Sequence, residues 1–138
     1  MHVPARIIID TNVLISRVLI PGSIAAQAIK TVEESHIWLT SESVMKELAE
    51  VLLRPKFARY ITQNQVAGLL ARLDGITETV PIIHHIAACR DPEDNKFLDI
   101  AVNGNANYLI TGDADLLALH PFRGTIILTP RRFIEQTA

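Results

Sequence analysis

With 138 residues, 49% of them apolar, the chain is long enough for one domain with a substantial core. Thirteen basic against fifteen acidic residues leave a net charge of −2, which excludes a broadly basic nucleic-acid-binding face but not a nuclease using local cations or a bound metal. The single Cys89 excludes an intrachain disulfide, fits a reducing cytosol and reads as a small buried hydrophobe.

Arg6-Ile7-Ile8-Ile9 is a β-branched run that predicts a buried strand, ending at Asp10-Thr11-Asn12. Residues 13–19 read as a helix broken at Pro21-Gly22. Ser23 caps a second helix to about Glu34, and residues 36–40 form a short strand. A third helix runs from about Ser41 to Leu53 and stops before Pro55. A fourth covers about Thr62 to Leu73, across Gly68, and residues 78–81 are extended. Asp91-Pro92-Glu93-Asp94 opens a helix to about Gly104, with Asp91 as its cap and Pro92 in its first position. Residues 107–111 and 125–129 are strands, the first followed by a helical turn at Asp113-Ala114-Asp115 and the second by a C-terminal helix after Pro130. Strands separated by helices, without hairpin signals, predict an α/β fold of three layers around a parallel sheet, as one domain over 1–138. No stretch is long and apolar enough to span a membrane, and the N-terminus lacks a signal-peptide pattern.

Among fifteen acids, position singles out four. Asp10 and Asp113 each follow a strand, and parallel sheets bind ligands beyond the carboxyl ends of their strands. Glu47 falls inside the helical stripe of Val44, Leu48, Val51 and Leu52, whereas Glu42 and Glu50 project elsewhere. Asp94 extends the stripe of Phe97, Leu98 and Ala101 by one turn, and Asp99 lies off that face. Three of them have a structural alternative: an ion pair for Glu47, first-turn dipole chemistry for Asp94, and capping for Asp113. Asp115 is an alternative fourth acid.

Converging carboxylates need a compensating cation, and oxygen ligands alone favour Mg²⁺ or Mn²⁺. No cysteine–histidine spacing supports zinc: His84 and His85 are adjacent, and His2, His36 and His120 are isolated in the sequence. A hard divalent ion on carboxylates suits phosphodiester hydrolysis.

Apolar run-Asp10-Thr11-Asn12-Val13-Leu14, Glu47-Leu48, Asp94-Asn95-Lys96-Phe97-Leu98 and Leu109-Ile110-Thr111-Gly112-Asp113-Ala114-Asp115-Leu116 together resemble the PIN domain, in order and approximate spacing. Leu53-Arg54-Pro55-Lys56-Phe57 and Arg90-Asp91-Pro92-Glu93-Asp94 are similar to a branch of toxin components from prokaryotic toxin–antitoxin pairs, with VapC-type ribonucleases as relatives. The resemblance implies a Rossmann-like domain and a Mg²⁺- or Mn²⁺-dependent endoribonuclease of the prokaryotic cytoplasm. Carried over by position, Asp10, Glu47, Asp94 and Asp113 are the catalytic and metal-binding quartet. Thr11, Asn12 and Thr111 would support it by hydrogen bonds, and Asp115 could replace Asp113 or share the metal. Arg54, Lys56 and Arg59 are candidate contacts to an RNA backbone. The implied partners are an RNA substrate, an antitoxin protein and a second copy of the chain, with no membrane. One departure is that Lys96, Phe97 and Leu98 follow the third acid where many relatives have small residues.

An inactive PIN scaffold acting as a binding module is the non-enzymatic alternative. A haloacid-dehalogenase-type phosphatase would need Asp-x-Asp where this chain has Asp10-Thr11-Asn12, and a receiver domain would need a late lysine that is absent.

Overall fold

The computed structural model describes residues 2–137. Five strands form one parallel sheet: β1 (Arg6–Ile9), β2 (Ile37–Thr40), β3 (Thr77–Thr79), β4 (Tyr108–Ile110) and β5 (Ile126–Leu128), in the spatial order β3-β2-β1-β4-β5. The helices are α1 (Thr11–Leu19), α2 (Ile24–Ser35), α3 (Glu42–Leu52), α4 (Gln63–Ile76), α5 (Asn95–Asn103), α6 (Ala114–Leu117) and α7 (Pro130–Thr137). Short 3₁₀ turns occupy Pro55–Phe57 and Pro92–Asp94.

The alternation of side chains along β1 builds both cores at once. Ile7 and Ile9 face one apolar cluster, closed by Ile29, Leu48, Leu73 and Phe133 from α2, α3, α4 and α7. Ile8 faces the other, closed by Phe97, Leu98 and Ala101 of α5 and Leu116 of α6. The result is the expected α/β/α arrangement, with a sheet buried on both faces.

Strand order sets the position of any site. The chain moves outward from β1 to β2 and β3, then crosses back to place β4 on the other side of β1. The carboxyl ends of β1 and β4 are therefore the switch point of the sheet, where the connections leave toward opposite sides and open a crevice.

The boundaries move for local reasons. α1 begins at Thr11 because the Asp10 side chain accepts the Asn12 N–H and caps it. Ser23, Ser41 and Thr62 cap α2, α3 and α4, the last through a capping box with Gln65. α4 runs on to Ile76 with Gly68 exposed within it. The helix expected from Asp91 is divided: a 3₁₀ turn comes first, and α5 starts at Asn95. Asp94 thus stands at the helix N-terminus rather than one turn along its inner stripe. A small antiparallel bridge, Phe122 to Thr125, leads into β5, and its two central residues Arg123 and Gly124 have positive φ of 47° and 87°. His2 and His36 meet edge to face with ring centroids 4.9 Å apart, although they are isolated in the sequence. Both rings face backbone groups, the Ser35 carbonyl and the Ala5 N–H respectively.

Candidate metal-binding acidic site

Asp10 enters the crevice directly from β1. Its backbone N–H donates to the Ile110 carbonyl at 2.9 Å, which continues the β1–β4 pairing one residue beyond the strand. Its side chain is 3% exposed. Oδ1 accepts the Asn12 backbone N–H at 3.1 Å, and Oδ2 accepts the Thr111 hydroxyl at 2.7 Å. Burial raises the Asp10 carboxyl above its ordinary range, the Thr111 and Asn12 hydrogen bonds oppose that rise, and the charges of Asp113 and Glu47 add to it.

Thr111, fully buried just beyond β4, joins two acids. While its hydroxyl donates to Asp10, the same oxygen accepts the Asp113 N–H at 3.0 Å. Asp113 Oδ2 in turn accepts the Leu116 N–H at 2.9 Å and caps α6. Asp113 therefore does fill the capping role, and Thr111 fixes its backbone relative to Asp10.

Asp94 comes from the opposite wall, at the start of α5, and makes no capping hydrogen bond there. Its carboxyl is pushed up to about 7 by burial first, then by the charges of Asp113, Asp10 and Asp91 and a hydrogen bond with Asp113. Ligand atoms of Asp94, Asp113 and Cys89 all lie within 4.8 Å of one another, the only such group of three among the described residues. The same acids, with Asp115, add to the burial that pushes the Cys89 thiol up. Cys89 occupies the second core cluster, as a small hydrophobe would. Its position beside the acids had no sequence signal, because the loop before α5 folds back through Asn95, whose Oδ1 accepts the Ala88 and Cys89 N–H groups.

Glu47 reaches the site from α3 but is differently engaged. It forms an ion pair with Lys96 of α5, whose ammonium also lies 3.6 Å from Glu93 Oε2. No aspartate of the site has a cationic partner among the described residues. The remaining candidates are placed as follows. Thr11 is buried with its hydroxyl unpartnered, and it lines a small apolar recess with Ile9, Leu14 and Val44. Asn12 touches Asp10 through its backbone, not its side-chain amide. Asp115 is half-buried one residue into α6. Arg54, Lys56 and Arg59 are exposed past the C-terminal end of α3, on the order of 10 Å along the helix axis from Glu47. Lys56 and Arg59 stack over Phe57 and Tyr60 there.

The donor set fits a hard divalent cation. The carboxylates of Asp10 and Asp113 are fixed by hydroxyl and backbone donors, and none of the three aspartates has a cationic partner among the described residues. Burial first, and then the neighbouring charges of Asp113, Asp10 and Asp91, raise the Asp94 carboxyl to about 7, as expected where no cation offsets them. Open space adjoins Asp10 and Asp113, and a second cavity lies on the Lys96 side of the start of α5. One cavity of about 400 Å³ is lined by Asp10, Asn12, Ser16 and Asp113. Another of about 740 Å³ is lined by Ser41, Glu93, Asn95 and Lys96.

Comparison with known proteins agrees with the fold and the order of the motifs. The chain is 30% identical over 141 residues to an uncharacterized protein of Methanocaldococcus jannaschii, covering 95% of this chain and 90% of that one. Its fold is similar to a chain in the crystal structure of VapBC2 from Rickettsia felis bound to a DNA fragment from their promoter. The TM-score is 0.60 at 14% identity, over 88% of this chain and 96% of the other. The sequence profile of the PIN domain matches residues 6–115, from the start of β1 to Asp115, and the chain belongs to the PIN domain family.

Proposed function

We propose that this protein is a metal-dependent endoribonuclease, acting as the toxin of a toxin–antitoxin pair. The observation that carries the nuclease reading is the approach of Asp94 to Asp113, with ligand atoms within 4.8 Å, beside Asp10. Thr111 ties Asp10 to Asp113 at the β1–β4 switch point, and the three acids have no cationic partner among the described residues. Family membership and the unbroken set of acids support it over an inactive scaffold. The toxin reading rests on the fold likeness to a chain of the VapBC2 assembly, whose structure also includes promoter DNA.

In this reading Asp10, Asp94 and Asp113 hold Mg²⁺ or Mn²⁺, with Glu47 as the fourth carboxylate and Asp115 beside the set. The bound ion would supply Lewis-acid polarisation of a phosphate oxygen and make water a better nucleophile. Thr111 holds the Asp10 carboxylate in register with the Asp113 backbone, which pre-arranges these two acids before substrate enters. A carboxylate of the set would accept the proton of the attacking water as its oxygen bonds to phosphorus, while the opposite P–O bond breaks and the leaving ribose oxygen departs to take a proton from solvent. The cavity lined by Asp10 and Asp113 gives a single strand room to reach those acids. Arg54, Lys56 and Arg59 are proposed only as distant contacts to a longer RNA. Homodimerisation, a single domain over 1–138 and a place in the prokaryotic cytoplasm complete the proposal. No single helix among the described residues is long and apolar enough to cross a membrane.

The test is cleavage of a single-stranded RNA by the purified chain with Mg²⁺ or Mn²⁺, with EDTA and Asp10→Asn as controls. Cleavage lost in both controls supports the reading; no cleavage with either ion, or an undiminished Asp10→Asn, rejects it. Co-expression with the product of the adjoining gene, followed by co-purification and inhibition, separates a toxin from a nuclease without a partner.

A further inference from the structure

We propose that Lys96 is a positioning residue that withdraws Glu47 from the ion-binding set, so that the site takes one divalent cation on Asp10, Asp94 and Asp113. This deepens the metal-site reading above and rests on it.

The acids divide into two groups by how their charge is balanced. Glu47 is bound by the Lys96 ammonium, which is drawn in from α5 with its side chain only 15% exposed. Glu93, 83% exposed, flanks the same ammonium from the solvent side. Asp10 and Asp113 are held by neutral donors, the Asn12 N–H and Thr111 hydroxyl on Asp10 and the Leu116 N–H on Asp113. Asp94 makes no capping hydrogen bond, and none of the three has a cationic partner among the described residues. The charge that calls for a metal therefore lies on the aspartates, while that of Glu47 is already met.

A divalent ion on Glu47 would have to displace the ammonium. That would leave the Lys96 ammonium, its side chain only 15% exposed, with the solvent-exposed Glu93 as its carboxylate partner among the described residues, and it would set three positive charges against one another. An ion on the aspartates meets neither obstacle. Lys96 also lines the wall of the larger cavity. A balanced Lys96–Glu47 pair there removes a negative charge from the path of an incoming phosphate. The lysine sits two residues after Asp94, on the first turn of α5, so the helix that delivers Asp94 also delivers the cation.

Mn²⁺ binding to the purified chain, followed by calorimetry and by electron paramagnetic resonance of the free ion, tests this without reference to activity. The wild type is expected to bind one Mn²⁺. Glu47→Gln is expected to keep that stoichiometry and an affinity within about threefold, whereas Asp94→Asn loses roughly 10–100-fold. Lys96→Met frees Glu47 to join the ligands and is expected to bind about tenfold more tightly or to take a second ion. Lys96→Arg, which keeps the charge, is expected to behave as the wild type.

A Glu47→Gln protein as impaired as Asp94→Asn, a wild type that binds two ions, or Lys96→Arg matching Lys96→Met overturns the assignment of Lys96. The first two of these results leave the metal-site reading standing. A wild type that binds no Mn²⁺ overturns both. Circular dichroism of each variant, together with a double-mutant cycle of Glu47 and Lys96 in the metal-free protein, reports folding and the pair itself.

Discussion

The Thr111 hydroxyl donates to Asp10 Oδ2 at 2.7 Å, joining the ends of β1 and β4 across the switch point of the sheet. Because the same oxygen receives the Asp113 N–H, one buried threonine sets the spacing of two acids 103 positions apart in the chain.

Thr111→Val keeps the shape of that side chain and removes the hydroxyl. It leaves Asp10 buried with one hydrogen bond fewer, and the expected loss of stability is about 1.5–3 kcal/mol, as for hydrogen bonds to charged groups. Urea unfolding reads it directly, and a change under about 0.5 kcal/mol would mean that the bond contributes nothing net.

Asp113 and Asp115 are separable by conservative substitution. Asparagine caps a helix as well as aspartate, so Asp113→Asn keeps α6 while removing the charge. RNA cleavage is expected to fall by about 100-fold or more in Asp113→Asn and by less than about tenfold in Asp115→Asn. The reverse ranking would make Asp115 the fourth acid.

Asp94 predicts a pH dependence with a definite sign. Its carboxyl stands at about 7 in the folded chain against an ordinary value of 3.8. Between those values the native state holds a proton that the unfolded chain releases, so metal-free stability falls as pH rises from about 4 to about 7 and then levels off. Thermal unfolding in EDTA is expected to show that decline. Asp94→Asn flattens it, and Mn²⁺, which favours the ionised carboxyl, opposes it. A metal-free protein that instead gains stability over this interval would contradict the charge-crowded site.

Gly104 ends α5 in tight quarters. A Cβ there would meet the Ile100 carbonyl oxygen at 2.9 Å, Val80 Cγ2 at 3.0 Å and Leu39 Cδ1 at 3.2 Å. Gly104→Ala is expected to cost about 1–3 kcal/mol through overpacking, measured as a lower midpoint in urea. An unchanged midpoint would show that α5 can shift to make room.

Much of the architecture was legible because it rests on local patterns. Ile7-Ile8-Ile9 reads as a strand buried on both faces, and it feeds both cores. Ser23 and Asp91 read as caps, and their side chains accept the N–H groups of Ala26 and Glu93. The candidate acids were visible as charges where apolar residues belong. What the sequence could not show were the pairings across the chain. Lys96 and Glu47 are 49 residues apart, and no periodicity links them. Cys89 reaches the acids only because Asn95 pins the loop before α5, while Asp99 and Asn103 bind the amides of Ile86, Ile83 and His84. The start of α5 was misplaced for a similar reason: Pro92 permits a 3₁₀ turn as readily as a first helical turn, and the choice is made by tertiary contacts.

The most direct measurement is an anomalous difference map from crystals of the wild-type protein soaked in Mn²⁺. The structure predicts a peak ligated by the carboxylates of Asp10, Asp94 and Asp113, with the Lys96–Glu47 pair intact beside it. A peak elsewhere, or none at a Mn²⁺ concentration that saturates the protein in solution, would contradict the site on which the proposed chemistry depends.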